Sequence, residues 1–311
     1  MTAGYAEEKA TGGSETEEQS IEDAVQKRFG THTRITGKTP VSGGDINAAF
    51  RLALSGGGSV FLKCNEKARA AMFDAEAQGL QALAASGCIA VAEPLAYGVD
   101  ANEKCAFLLL SYIKEGKPKA SFWEDFGRSL AALHRQETGC FVPGGRYGFF
   151  QDNYIGTSRQ HNAPHGSWIS FFREERLMPQ FSMADRWFDR EERIRCSRLL
   201  ERLDELLIEP PFPSLLHGDL WGGNFMTGPE GDAVLIDPAV YVGCHEADLA
   251  MTELFGGFSP RFYDGYREVL PVDGGYKERR DLYNLYHLLN HLNLFGSGYR
   301  SAVLQILYRY T

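Results

Sequence analysis

The sequence has little to offer a polyanion. Lysine and arginine total 32 against 41 aspartates and glutamates, giving a formal net charge of −9, and the basic residues form no run. A nucleic-acid binder needs a basic face for its phosphate contacts, so that class is set aside. Cysteine is sparse and unpatterned: Cys64, Cys88, Cys105, Cys140, Cys196 and Cys244 lie far apart and make no CxxC pair. That spacing fits neither a zinc site nor a dense disulfide framework, and reduced thiols packed as small hydrophobes are expected. No apolar stretch nears the roughly 18 residues that a bilayer span requires. The first twenty residues, rich in Glu, Gly, Thr and Ser, lack the basic start and hydrophobic core of a signal peptide. Such a segment is expected to be a disordered tail. What is present, 43% hydrophobic and 23% charged residues, is ordinary globular usage with a packed core. The expectation is a soluble protein of the cytoplasm.

With 311 residues the chain can form one large domain or two modest lobes around a cleft. Ile21, Val25 and Phe29 recur at helical spacing and mark the start of order. Short β-type runs follow at 34–36, 48–54 and 60–63, with Gly56-Gly57-Gly58 as a hairpin turn before the third. A helix is expected over 68–85, closed by Gly87, and a buried strand over 106–113. Beyond Gly116 helical periodicity dominates, at 122–136, 168–178, 190–208 and from Asp281 onward. Two short apolar runs, Leu215-Leu216 and 234–236, bracket the polar segment 217–224. The expected organisation is a tail (1–20), a β-rich nucleotide-binding lobe (21–113) and a larger helical catalytic and substrate lobe (114–311). This is an α+β, bilobal, protein-kinase-like arrangement with a hinge near Leu110 to Lys117.

The chemistry concentrates in His217-Gly218-Asp219-Leu220-Trp221-Gly222-Gly223-Asn224, followed by Ile236-Asp237-Pro238. Asp, Asn and Gly are common in turns, so one Asp–Asn pair would read as a polar turn. An Asp with an Asn five residues on, then a strand ending in Asp, is the spacing of a kinase catalytic loop and its metal-binding Asp. Asp219 is then the base beside the attacking hydroxyl. Asn224 and Asp237 supply hard oxygen ligands suited to Mg²⁺ on ATP phosphates. Lys63 ends a strand, as a phosphate-positioning lysine should. Glu76 is its expected ion-pair partner, because it falls among Phe73, Leu80 and Leu83 on the buried side of its helix, where Asp74 and Glu66 do not. Gly43, Gly44, Asp45 and Asn47 occupy a loop between two strands, where backbone amides can face phosphate oxygens. Leu110 and Tyr112 fall in the segment expected to line the adenine.

With these residues in place the sequence resembles the fructosamine kinase family, a branch of the aminoglycoside and choline kinase superfamily. The superfamily loop is HGDxxxxN, and the Leu220-Trp221 extension narrows the resemblance. Further blocks that match are 152–156, Trp168 with Phe171-Phe172, Arg176-Leu177, Gly243, His245-Glu246, 248–250, 254–258 and the tail motifs around Tyr286, Asn290 and Asn293. The resemblance implies an ATP- and Mg²⁺-dependent kinase of the 3-hydroxyl of ketosamines, on small amines or glycated protein lysines, whose product releases the amine. It also makes Trp221 a wall for the sugar, level with the alternative of a core indole beneath the loop. Some family members carry a redox-regulating cysteine in the phosphate loop; residues 43–47 contain none, so that regulation does not transfer. An aminoglycoside or choline-type kinase on the same scaffold is the alternative, and a nucleotide-binding pseudokinase a third.

Six further residues invite assignment. His217 is expected to brace the loop, and His134 to be a satisfied structural histidine. His287 and His291, spaced i, i+4, read as helix packing near the substrate pocket in preference to a metal pair. Glu246 and Asp248 read as helix caps or arginine partners.

Overall fold

The computed structural model describes residues 19–42 and 46–311. Of the expected 1–20 tail, residues 1–18 lie outside the described residues, as do Gly43, Gly44 and Asp45. Gln19 and Ser20 are engaged: the Gln19 amide donates to the Val99 carbonyl, and Ser20 caps the first helix by accepting from Asp23 N. The chain forms two compact units. One comprises the residues up to Phe122 together with Met226–Asp237; the other comprises Trp123–Phe225 with Pro238–Thr311.

The first unit begins with α1 (Ile21–Phe29), β1 (Ile35–Pro40), β2 (Ala48–Leu54), β3 (Ser59–Glu66) and α2 (Ala70–Ala85). It continues with β4 (Ala90–Val91), β5 (Pro94–Asp100) and β6 (Cys105–Ser111). Five strands make an antiparallel sheet in the order β1-β2-β3-β6-β5. The β2–β3 turn carries Gly57 and Gly58 at positive φ, which explains the glycine run. Both faces of the sheet are covered. Ile21, Ala24 and Val25 of α1 pack with Leu62, Phe107 and Leu109 on one face. Phe73, Ala77 and Leu80 of α2 pack with Ala106, Leu108 and Leu110 on the other. A strand buried on both faces loses its alternation, so β6 reads as one apolar run. β3 keeps its alternation, and the period of two sends Val60 and Leu62 toward α1 and Phe61 and Lys63 toward α2.

The second unit opens with α3 (Phe122–His134), the hairpin of β7 (Asn153–Ile155) and β8 (Ser158–Gln160), and α4 (Trp168–Phe171). A π-helical turn over Phe172–Leu177 joins α4 to α5 (Met178–Ala184), so the expected helix from 168 runs past 178. α6 (Arg190–Glu201), α7 (Leu203–Leu206) and β9 (Ser214–Leu216) follow. The chain then returns to the first unit through β10 (Phe225–Thr227) and β11 (Ala233–Leu235). β11 pairs parallel with β4, and the Ala92 amide donates to the Leu235 carbonyl. β12 (Tyr241–Gly243) goes back to β9, pairing antiparallel from Tyr241↔Leu216. Four helices complete the unit: α8 (His245–Leu254), α9 (Pro260–Val269), α10 (Tyr276–Phe295) and α11 (Arg300–Tyr310). Helices α3 and α9 meet backbone to backbone: a Cβ on Gly127 would lie 2.0 Å from the Phe262 carbonyl oxygen. Among the described residues no helix is long and apolar enough to cross a membrane.

Candidate active site

In the first unit the site is built around a lysine that water cannot reach freely. Lys63, 7% exposed, places Nζ 2.6 Å from Glu76 Oε1 and 2.6 Å from Asp237 Oδ1. Three local causes bring these groups together. The alternation of β3 turns Lys63 toward α2. Phe73, Ala77 and Leu80 seat α2 on the sheet and bring Glu76 with them, while Ile236 joins the same cluster at the end of β11 and carries Asp237. Burial opposes the charge on Lys63, but the two carboxylates outweigh it and hold its pKa above the ordinary lysine value. Burial pushes the Glu76 carboxyl upward against the pull of Lys63. Asp237 has a left-handed backbone, φ 55°, a conformation that asparagine and aspartate tolerate best among side-chain-bearing residues and that recurs at functional sites. Asp74 is bound instead by Gln78, and Glu66 is exposed.

Asn47 is tied to β3: Asn65, two residues beyond Lys63, donates to Asn47 Oδ1 at 2.7 Å and to the Ile46 carbonyl at 3.2 Å. Leu110 is a core residue inside β6, flanked by β3 and β5. Tyr112 lies just past the strand, with the Arg51 guanidinium over its ring at 4.9 Å.

In the second unit the loop 217–224 leaves β9 under close restraint. Gly218 has φ 82°, and a Cβ there would fall 1.9 Å from the Ala239 carbonyl oxygen, so only glycine fits. Asp248 of α8 accepts from the backbone amides of His217 (2.7 Å) and Gly218 (2.9 Å), and His134 Nε2 donates to it at 3.2 Å. Burial works to raise the Asp248 pKa, yet these donors hold it below the ordinary carboxylate value. Tyr266 meets the other His134 nitrogen at 2.7 Å, so His134 is the satisfied structural histidine its helix suggested. Asp248 departs from expectation. It neither caps a helix nor pairs with arginine; the arginine partner is Glu246, held by Arg279 at 2.6 and 2.8 Å. A link across 30 positions leaves no local trace in the sequence.

Asn224 donates to the Asp219 carbonyl oxygen (2.8 Å) and to Asp219 Oδ2 (3.1 Å), which fixes the two side chains as one piece. Asp219 N donates to His217 Nδ1 at 3.3 Å. Trp221 is 40% exposed, with its ring 6.3 Å from that of Phe255, so the core-indole alternative falls away. The indole folds over Gly223, where a Cβ would lie 2.4 Å from Trp221 Cη2. His287, 3% exposed, has Nδ1 3.9 Å from Asp219 Oδ1. His291 Nδ1 donates to the His287 carbonyl at 2.8 Å.

Arg176 was matched without a role. Its guanidinium is fully buried within the π-helical turn, donates to the His161 carbonyl and Asn162 Oδ1, and lies 4.0 Å from the Tyr241 ring centroid.

The profile of the family described as fructosamine kinase matches residues 17–311. The “Probable ketoamine kinase” of Synechocystis sp. is 39% identical over 296 residues, covering 93% of this chain and 95% of that protein. The chloroplastic protein-ribulosamine 3-kinase of Arabidopsis thaliana is 38% identical over 283 residues, covering 89% and 83%. A solved structure from Haemophilus somnus, described as a candidate fructosamine-3-kinase, superposes with TM-score 0.83 at 29% identity, covering 94% and 96%. An amicoumacin kinase solved with AMP-PNP, at TM-score 0.56 and 16% identity, shares the fold.

Proposed function

This chain belongs to the fructosamine kinase family, and we propose that it transfers the γ-phosphoryl group of ATP to the 3-hydroxyl of ketosamines, on small amines or glycated proteins. The reading rests most on one observation: Asp219 and Asn224, five positions apart, are locked together by two hydrogen bonds in a loop that Asp248 anchors. In this reading Asp219 orients the acceptor hydroxyl and takes its proton, Asn224 holds that carboxylate in place, and Trp221 offers the sugar a flat apolar wall. In the first unit Lys63 meets the ATP phosphates, with Glu76 and Asp237 setting its position and charge. Asn47, tied to β3 by Asn65, belongs to the segment assigned to the nucleotide phosphates, and the stretch from Leu110 to Tyr112 leads to the adenine. We assign nucleotide binding to the first unit, catalysis and substrate recognition to the second, and the cytoplasm as the site of action.

The donor set suits Mg²⁺. Asn224 and Asp237 each offer a hard oxygen of the kind this ion prefers, beside phosphate oxygens and water. Asp237 is also the most open of the Lys63 trio, at 46% side-chain exposure against 8% for Lys63 and 15% for Glu76. When bound, the ion neutralises phosphate charge as it shifts toward the leaving group.

The test is Mg²⁺-dependent ADP release with ribulosamine, fructosamine, aminoglycosides and choline, using Asp219→Ala as the blank. Turnover confined to the ketosamines supports the reading. Turnover on aminoglycosides or choline alone keeps the machinery and replaces the substrate, while nucleotide binding with silence across the panel indicates a pseudokinase.

A further inference from the structure

Two histidines buried in the second unit differ in one respect. His134 has both ring nitrogens bonded, to Tyr266 and Asp248. His287 is buried to a similar degree, yet its Nδ1 has no hydrogen-bond partner. Buried polar atoms are bonded as a rule, and an exception calls for a cause. His245 also leaves Nδ1 unbonded, but its ring lies against Phe212 and His134 and not beside a reactive carboxylate.

The His287 atom lies 3.9 Å from Asp219 Oδ1. That is too far for a hydrogen bond and too near for the two to ignore what stands between them. One oxygen atom about 2.8 Å from each satisfies both, with an angle of about 90° at that oxygen, close to what an sp³ oxygen accepts. Burial, with His291 adding to it, pushes the His287 pKa down to about 3. At neutral pH the ring therefore carries one N–H and one lone pair and does not compete with Asp219 for a proton.

We propose that His287 is a substrate-binding residue, which together with Asp219 holds the reacting hydroxyl of the acceptor. The proposal rests on the kinase reading above. Nδ1–H donates to the hydroxyl oxygen, and the hydroxyl donates its own hydrogen to Asp219 Oδ1. One lone pair of the oxygen then remains for phosphorus. As the new O–P bond forms, the hydroxyl proton passes to Asp219, the bond from the γ-phosphorus to its bridging oxygen breaks, and ADP leaves. The bond from Nδ1–H tightens as the oxygen gains charge, and the oxygen has been oriented beforehand. α10 is well placed for this task. His287 sits near the middle of a 20-residue helix, with its carbonyl bonded by His291 and its ring 5.1 Å from that of Tyr286.

The experiment uses the full chain with whichever ketosamine the wild type phosphorylates, together with its 3-deoxy analogue as a non-reacting ligand. His287→Leu is expected to lower kcat/KM for the ketosamine by about tenfold or more, with the KM for ATP unchanged. His287→Asn, which keeps an N–H near the same place, is expected to recover most of that loss. Binding supplies the decisive comparison. Leucine should weaken the ketosamine and leave the 3-deoxy analogue at its wild-type affinity, because the analogue lacks the oxygen that His287 contacts. The ratio of the two affinities is independent of how much of the variant is folded, since both ligands meet the same population. Equal weakening of both ligands, or of neither, overturns the proposal. Wild-type silence toward every ketosamine overturns the parent reading, and it is seen before any substitution is made.

Discussion

The carboxylate of Asp248 accepts a hydrogen bond from the backbone amide of His217 at 2.7 Å. Through it, α8 sets the shape of the loop that carries Asp219. With Gly218 N and His134 Nε2 the same carboxylate satisfies three buried donors. Asp248→Ala leaves all three without an acceptor, at roughly 1–3 kcal/mol each. The expected outcome is a loss of about 3 kcal/mol or more in a urea melt. Asp248→Asn should fold better and still turn over slowly, because an amide accepts through one oxygen only.

Lys63 and Glu76 should behave as a unit. Lys63→Met leaves the buried Glu76 without its neutralising cation, and Glu76, already pushed upward by burial, is expected to take up a proton. The KM for ATP should rise at least tenfold. In a double-mutant cycle with Glu76→Leu, the stability changes should fall short of additivity by about 1–3 kcal/mol. Additive losses would show that the pair is incidental.

Asp219→Ala and Asp237→Ala should fail in different ways. The first is expected to cut turnover by about 10²–10⁴-fold while ADP binding is retained. The second should weaken Mg²⁺-dependent nucleotide binding itself. Titrating ADP with and without Mg²⁺ in both variants separates the two roles.

The protein should lose stability on mild acidification. Burial holds both His245 and His287 near a pKa of about 3 in the folded state, against about 6.5 in an unfolded chain. Below that value the unfolded state binds protons that the native state refuses, so stability falls as the pH drops and continues to fall toward pH 3. Each histidine contributes about 1.4 kcal/mol per pH unit within that window. Urea midpoints at pH 7.5 and 5.5 should differ accordingly. His245→Phe, beside Phe212, should remove about 1.4 kcal/mol per pH unit of the slope.

Much of the fold could be read from local pattern, and the omissions have physical causes. β2 falls at 48–54, where apolar residues and the glycine turn place it, and α2 ends at Ala85, just ahead of the left-handed Gly87. β5 had no such signal. Its segment Pro94–Asp100 contains a proline and a glycine, and it lies at the sheet edge, where proline is tolerated. α8 is buried nearly all round, so it has no polar face to set a helical period. At the candidate site, residue types and spacing singled out Asp219, Asn224, Asp237, Lys63 and Glu76, and the structure joins Asp219 to Asn224 and Lys63 to Glu76 and Asp237. Asp248 and His287 reach the loop only through tertiary packing, 31 and 68 positions from the residues they meet (248 − 217 and 287 − 219).

Lys63 and Asp237 are 174 positions apart, yet both belong to the first unit. On the ribosome, the sheet and α2 can emerge and pack while the lysine has Glu76 alone. β4 waits for its parallel partner until residues 233–235 appear, and the third charged group arrives only when residue 237 of 311 has left the exit tunnel. A long-range closure of this kind is slow, and it postpones the complete Lys63–Glu76–Asp237 group until the loop 217–224 has already been made. A nascent chain that stalls before this point has the lysine but cannot hold it in its working arrangement.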